Sequence, residues 1–314
     1  MKQLQGSLPL SEPPKRWTVV LNRSAGGIAE VEESVVESLR EQFHSHGLIA
    51  DFQLVAADDL EEAIQSATKI DGMGVAVGGG DGTLSAAAGI LANGTVPLGI
   101  LPLGSLNHFA RDLGIPLTLP EAVEVISEGQ LSCIDLGEVN GKYFINNSSI
   151  GAYPRVIRLR ERKRKILGQH KWVAHAVAFY RFLRKYRTMT VCLCLDGRHT
   201  LRVTPFVFVG NNEYDLGQKF TTGRKNIQSG CLCVYTARCE NWLQFLRLFA
   251  LLVANRLVDA PEFELHCVDE LTVETREEFH HVSRDGEIFR MQSPLRYRIL
   301  SRALPVIVPH EKPI

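Results

Sequence analysis

The chain of 314 residues holds no run of about 18 uninterrupted apolar residues, the length a membrane span needs. Its longest apolar stretch, Trp242 to Val258, is broken by Gln244, Arg247, Asn255 and Arg256, which excludes a transmembrane helix there. The first residues, Met1 to Arg16, lack an apolar core and carry Pro13-Pro14, so they are expected to form a disordered lead-in with no export signal. The seven cysteines are odd in number and follow no framework spacing, which argues against a disulfide scaffold and for a reducing cytoplasm. Net charge is absent too, with 35 Lys and Arg against 35 Asp and Glu. That balance hides an asymmetry: residues 1–150 hold 8 basic against 19 acidic side chains, and residues 151–314 hold 27 against 16. A basic second half suits an anionic partner, although charge alone does not choose among candidates.

What is present begins with Gly78-Gly79-Gly80-Asp81-Gly82-Thr83, directly after the apolar Val75-Ala76-Val77. A buried strand ending in glycines can turn sharply and let its backbone approach a phosphate, because no Cβ stands in the way. The Ala-rich segment Leu84 to Leu91 is helix-prone and would aim a helix N-terminus at the bound anion. Thr83 adds a hydroxyl donor. Asp81 repels phosphate, so it acts through Mg²⁺, through water, or by bonding N–H groups of the loop. The loop is not a Walker A motif, since no Gly-Lys-Ser/Thr follows, and it is not the G-x-G-x-x-G dinucleotide fingerprint.

A second block, Ile100-Leu101-Pro102-Leu103-Gly104-Ser105-Leu106-Asn107-His108-Phe109-Ala110-Arg111-Asp112-Leu113-Gly114-Ile115-Pro116, resembles the L-P-L-G-T-x-N-D-F-A-R-x-L-G-I-P pattern of the diacylglycerol kinase catalytic-domain family, which includes bacterial lipid kinases and sphingosine kinases. Val19 to Gly27, with Asn22, looks like the family's strand-N-P-x-x-G opening, and Asp285-Gly286-Glu287 resembles its D-G-E element. The resemblance spans about residues 16–309. Gly-Gly-Asp-Gly-Thr alone is shared with NAD kinases and, loosely, phosphofructokinases. The resemblance implies ATP and Mg²⁺ as cofactors, with Asn22, Gly79, Gly80, Asp81, Gly82, Thr83, Ser105 and Asn107 at the nucleotide. It implies Glu287 as proton acceptor, Asp285 supporting it or sharing the metal, and Asp81 as the other metal-side carboxylate. The acceptor would be diacylglycerol or a related long-chain alcohol. A soluble NAD kinase-like enzyme and a non-catalytic nucleotide- or lipid-binding relative are the competing readings, and nucleic acid is not an expected partner.

The sequence departs from the family pattern in four places. Ser105 replaces Thr and keeps a hydroxyl, whereas His108 replaces an Asp and Ser85-Ala86 replaces Asn-Glu, removing two carboxylates. Gln228-Ser229-Gly230-Cys231-Leu232 stands where N-D-G-x-L and a structural Mg²⁺ site are expected. Metal handling therefore differs here.

Through residue 130, apolar strand-like runs (18–21, 50–55, 74–77, 97–101) alternate with helical segments (31–46, 60–70, 84–92, 119–128), the pattern of a parallel α/β layer. From Ser132 onward, short strands with turn signals follow at 139–145, 190–195, 201–209, 231–236, 264–268, 270–275 and 280–283. The expected fold is an α/β N-terminal domain with a parallel sheet, residues 1–134 with 298–314 returning to it, plus a mostly antiparallel β-rich substrate domain, residues 135–297. Ligands of such parallel sheets bind beyond the strands' C-terminal ends, where Asn22 and the glycine loop fall.

Between Arg155 and Arg187 lie 12 Lys and Arg and one acidic residue, Glu161, interleaved with aromatic and aliphatic side chains. Such a helical segment can dock on an anionic bilayer, which suggests peripheral association with the inner face of the membrane. The face of Trp242 to Val258 is expected to pack on the sheet. Cys192-x-Cys194 and Cys231-x-Cys233 each share one strand face and are read as buried free thiols, with a four-Cys zinc site as the alternative. His266 and His280-His281 carry no assigned chemistry.

Overall fold

The computed structural model describes residues 13–24, 33–151, 188–215, 223–224, 226–239, 242–254 and 256–310. The basic segment 155–187 falls wholly outside these. Strands β1 (Arg16–Asn22), β2 (Ile49–Val55), β3 (Met73–Gly79) and β4 (Leu98–Pro102) run parallel in the order β2-β1-β3-β4. Helices α1 (Glu33–Ser45), α2 (Leu60–Ala67) and α3 (Asp81–Leu91) make the crossovers between them. Strands β1, β3 and β4 are near-continuous apolar runs because both faces are covered; β1 buries Trp17 to Asn22. Gly74 leaves room for the Trp17 ring, whose indole N–H donates to the Pro14 carbonyl at 2.7 Å. Helix α4 (His108–Asp112) and helix α5 (Leu119–Glu128) follow β4.

Strand β5 (Gln130–Val139) turns at Asn140-Gly141 into β6 (Lys142–Phe144), and β7 (Asn147–Gly151) comes next. The remaining strands are β8 (Met189–Leu195), β9 (Arg198–Thr204), β10 (Phe206–Asn211), β11 (Leu232–Ala237), β12 (Phe263–Val268), β13 (Glu270–Thr275), β14 (Phe279–Arg284), β15 (Glu287–Gln292) and β16 (Leu295–Val308). Two sheets result. Among the described residues the first has ten strands and continues the parallel set through β16, β13, β8 and β9, with β5 also on β16 and β6 on β5. The second is antiparallel, in the order β12-β11-β10-β7-β14-β15.

The 14-residue β16 joins the two halves. Its register on β5 slips between Leu300 and Leu304, where Arg302 takes a left-handed conformation and donates its N–H to buried Asp135 at 2.8 Å. Beyond that bulge, Leu304, Val306, Ile307 and Val308 join the core of the parallel layer, and Val306 pairs with Leu98 of β4. Before it, Leu295 and Tyr297 join the second core with Val139, Phe144, Val209 and Val282. The boundary expected at residue 134 therefore falls inside β5, which runs unbroken through it.

Two expectations need correcting. The single strand read over 201–209 is two strands on different sheets, because Pro205 has no N–H to continue a ladder. The four-cysteine zinc site does not assemble: Cys192 and Cys194 lie on β8 of the first sheet, and Cys231 and Cys233 on the strand end of the second. The helix at the apolar stretch, α6 (Trp242–Val253), packs Phe245 and Leu248 against Phe206, Ala237 and Phe263, as expected for a helix covering a sheet. No helix among the described residues is long and apolar enough to cross a membrane.

Candidate active site

The site forms where β1, β3 and β4 end. Strand β3 stops at Gly79, and extended Gly80 opens α3 with no side-chain cap, so the first N–H groups of an 11-residue helix carry no capping side chain. Uncapped first-turn donors and the helix dipole together make an anion site. Gly80 also faces the second motif: a Cβ on Gly104 would stand 2.4 Å from the Gly80 Cα, so the two glycine loops touch backbone to backbone.

Asn107 builds that second loop from within. It takes the left-handed conformation, accepts the Gly104 N–H at 2.9 Å, and donates to the carbonyls of Gly104 at 2.8 Å and Pro102 at 3.3 Å. Ser105 and His108 are exposed beside it. Asp81 ties the loops together, its carboxylate accepting the N–H of Phe109 at 2.9 Å and of His108 at 3.2 Å, which satisfies the start of α4. Of the three roles open to Asp81, bonding to N–H groups is the one observed, and the donors come from the second loop. Asn22 joins β1 to the same place, donating to Thr83 Oγ1 at 2.9 Å and accepting the Ser24 N–H at 3.0 Å. Asn22 and Thr83 are both buried, so these two side chains brace the cradle from below.

The β-rich half supplies the opposite wall. Asp285 and Gly286 form the left-handed turn between β14 and β15, the two-residue hairpin that Asp-Gly favours. The Asp285 carboxylate accepts four hydrogen bonds: Ser85 Oγ at 2.5 Å and the N–H groups of Ile145 at 2.9 Å, Asn146 at 2.8 Å and Asn147 at 3.0 Å. A carboxylate has about four acceptor positions, so this one is filled. Burial pushes the Asp285 carboxyl above its ordinary range, while Ser85 and the three amides act the other way. With its acceptor positions taken by these donors, Asp285 clasps α3 to the 145–147 segment.

That clasp aims Glu287. Two residues on, its exposed side chain reaches over Gly82 in the first turn of α3, where a Cβ would stand 2.9 Å from Glu287 Oε1. The carboxylate thus sits at the mouth of the cradle with no side chain of residue 82 between them. A buried ion pair holds the same two halves from the side: Arg224 Nε meets Asp112 at 2.8 Å, and Arg224 also donates to the carbonyls of Ile145 at 2.7 Å and Asn211 at 3.2 Å. Ser85, Asp112, Arg224 and the 145–147 amides were not singled out from the sequence as site residues. Ser85 was visible only as a departure from a pattern.

Residues 16–139 match the model of the diacylglycerol kinase catalytic domain. This segment is similar to that family and makes up under half of the chain. It contains Asn22, the glycine loop, Ser105 and Asn107 and stops short of Asp285 and Glu287. A protein of Pectobacterium atrosepticum named "Probable lipid kinase YegS-like" is 34% identical over 165 residues, 51% of this chain and 54% of that protein. One of the same name from Pseudomonas fluorescens is 39% identical over 115 residues, 36% of this chain and 38% of that one. The matched regions thus span about half or less of those relatives' length. A crystal structure described as a diacylglycerol kinase from Bacillus anthracis str. Sterne superimposes with a TM-score of 0.66 at 18% identity, covering 95% of this chain and 98% of that one. At that identity the likeness shows a shared fold, an α/β domain with a parallel sheet and a mostly antiparallel second domain.

Proposed function

We propose that the chain is an ATP-dependent lipid kinase that phosphorylates the hydroxyl of diacylglycerol or a related long-chain alcohol. The observation that carries the reading is the Glu287 carboxylate at the uncapped N-terminus of α3, over a residue with no side chain. Phosphoryl transfer to an alcohol needs an oriented triphosphate, charge neutralisation and a base at the acceptor. The cradle fits a triphosphate, since Gly80 and Gly82 leave its floor without side chains and the first-turn N–H groups point outward. Two carboxylates, Asp81 and Glu287, flank it, so the anion enters with a divalent cation. Each Asp81 oxygen accepts one N–H and keeps a lone pair for such a cation. Bound ATP with Mg²⁺ would supply the γ-phosphoryl group and neutralise its charge.

On this reading each remaining residue has one task. Glu287 accepts the acceptor's hydroxyl proton, and Gly82 leaves the space in which it does so. Asp285 and Ser85 hold the hairpin that aims Glu287. Asp81 fixes the second loop against the first, with Asn107, Asn22 and Thr83 holding both in shape. The domain division at residues 134 and 298, with a substrate-binding β half, belongs to the same proposal, as does docking of segment 155–187 on anionic lipid.

The test is transfer of labelled phosphate from ATP, with Mg²⁺ or Mn²⁺, to diacylglycerol, monoacylglycerol, sphingosine and NAD, for the wild type and Glu287→Gln. The variant keeps the side chain's shape without its basicity and should lose about 10²- to 10⁴-fold in turnover with little change in ATP affinity. Turnover on NAD and on no lipid would replace the lipid reading, and full turnover in Glu287→Gln would remove the base.

A further inference from the structure

Outside the site just described, the chain gathers three thiols at the far side of the second sheet. Cys233 of β11 and Cys267 of β12 are directly opposed in the antiparallel register, so their side chains share one face. Cys231, two residues before Cys233, lies on that face as well, by the period-2 alternation of extended chain. The sulfurs converge: Cys233 Sγ lies 2.9 Å from Cys267 Sγ and 4.0 Å from Cys231 Sγ, and all three fall within 4.8 Å of one another. All three are free thiols. Cys233 is buried, Cys231 is half-buried and Cys267 is exposed, so the group opens to solvent on one side only. The lipid-kinase reading uses none of them.

We propose that Cys231, Cys233 and Cys267 bind one thiophilic d¹⁰ cation, Zn²⁺ or Cu⁺, and thereby pin β12, an outer strand of the sheet, to β11. Sulfur ligands select such ions, while Mg²⁺ and Ca²⁺ demand oxygen. A Zn–S distance of about 2.3 Å with tetrahedral angles puts ligand sulfurs roughly 3.8 Å apart. The observed spacings bracket that value, so side-chain rotations of under an ångström, without movement of the strands, close the group around one ion. Water fills the fourth position of Zn²⁺ on the Cys267 side, and Cu⁺ needs only the three sulfurs. Bracing matters here because an outer strand has a partner on one side only.

The experiment uses the full chain, reduced with a phosphine and freed of metal. Native mass spectrometry after adding Zn²⁺ or Cu⁺ should find one ion per chain, and titration with Co²⁺ should raise thiolate-to-metal absorption in the near ultraviolet. Cys267→Ser changes an exposed residue and should lower affinity at least ten-fold; Cys231→Ser provides a second, independent removal of a ligand. Cys192→Ser with Cys194→Ser, on the other sheet, should bind as the wild type does. At a Zn²⁺ concentration that saturates the wild type, the unfolding temperature should rise for the wild type and rise less for Cys267→Ser. No uptake by the reduced wild type, or affinity in both single variants equal to that of the wild type, overturns the proposal. So does a chain that in air joins Cys233 to Cys267 as a disulfide and takes up no ion when reduced.

Discussion

Replacing Gly82 by alanine separates stability from chemistry at the proposed active site. The new methyl would stand 2.9 Å from Glu287 Oε1 and 3.7 Å from its Cδ. An ordinary contact begins near 3.4 Å, so the carboxylate must retreat by about half an ångström, which the exposed end of a glutamate side chain does at little cost in folding energy. The helix gains at the same time, because alanine is favoured over glycine by up to about 1 kcal/mol in a helix, less in its first turn. Unfolding temperature should therefore hold or rise by a degree or two. Turnover should fall, since a displacement of about 1 Å at a reacting group costs on the order of 10²-fold, and half of it about ten-fold. The assay pairs a thermal melt with phosphoryl-transfer rates for wild type, Gly82→Ala, Glu287→Gln and the double variant. If Gly82 acts through Glu287, alanine adds nothing once the carboxylate is gone. A ten-fold further loss in the Gln background would refute the reasoning and mean that the methyl obstructs the phosphates instead.

Asp81→Asn sets an amide NH₂ against the N–H of His108 or Phe109, so it should lower stability by about 1–3 kcal/mol and depress turnover together; a melt identical to wild type would show that Asp81 does not join the loops. Asp285→Asn likewise sets an amide NH₂ against at least one backbone N–H, that of Ile145 when Ser85 turns to accept, and should reduce both the unfolding temperature and turnover, while the Mg²⁺ concentration for half-maximal rate stays constant. A shift in that concentration would return Asp285 to the metal. Reversing Arg162, Lys163, Arg164 and Lys165 to Glu should release the chain from anionic vesicles, and salt should weaken wild-type binding because the attraction is screened over about 8 Å at physiological ionic strength. Continued flotation of the variant with those vesicles would leave the segment as a solvated surface.

The parallel half was legible because its signals are local. Buried strands there read as unbroken apolar runs, and the glycines that end β3 mark the turn into α3; the start of α3 was read at Leu84 instead of Asp81 because a helix's first turn needs no apolar residue, and the five-residue α4 was not read at all. The β-rich half hid more. Pro205 could have warned that residues 201–209 were two strands, whereas the bulge in β16 rests on Asp135, which accepts N–H groups from Arg302 and Gly230, and nothing near Leu300 in the sequence announces it. At the site, the glycine loops and Glu287 could be named from their motifs, but not which carboxylate would be open and which enclosed. Asp285 and Glu287 flank one glycine and look alike in a sequence. What separates them is Ser85, 200 residues away, and three amides at 145–147 that close around Asp285 and leave Glu287 outside. A carboxylate already holding four donors serves as a clasp, and the proposed function gives the proton to the one that reaches over a bare glycine at a helix N-terminus. The division of labour between two residues of one turn is therefore made by partners that no local pattern contains.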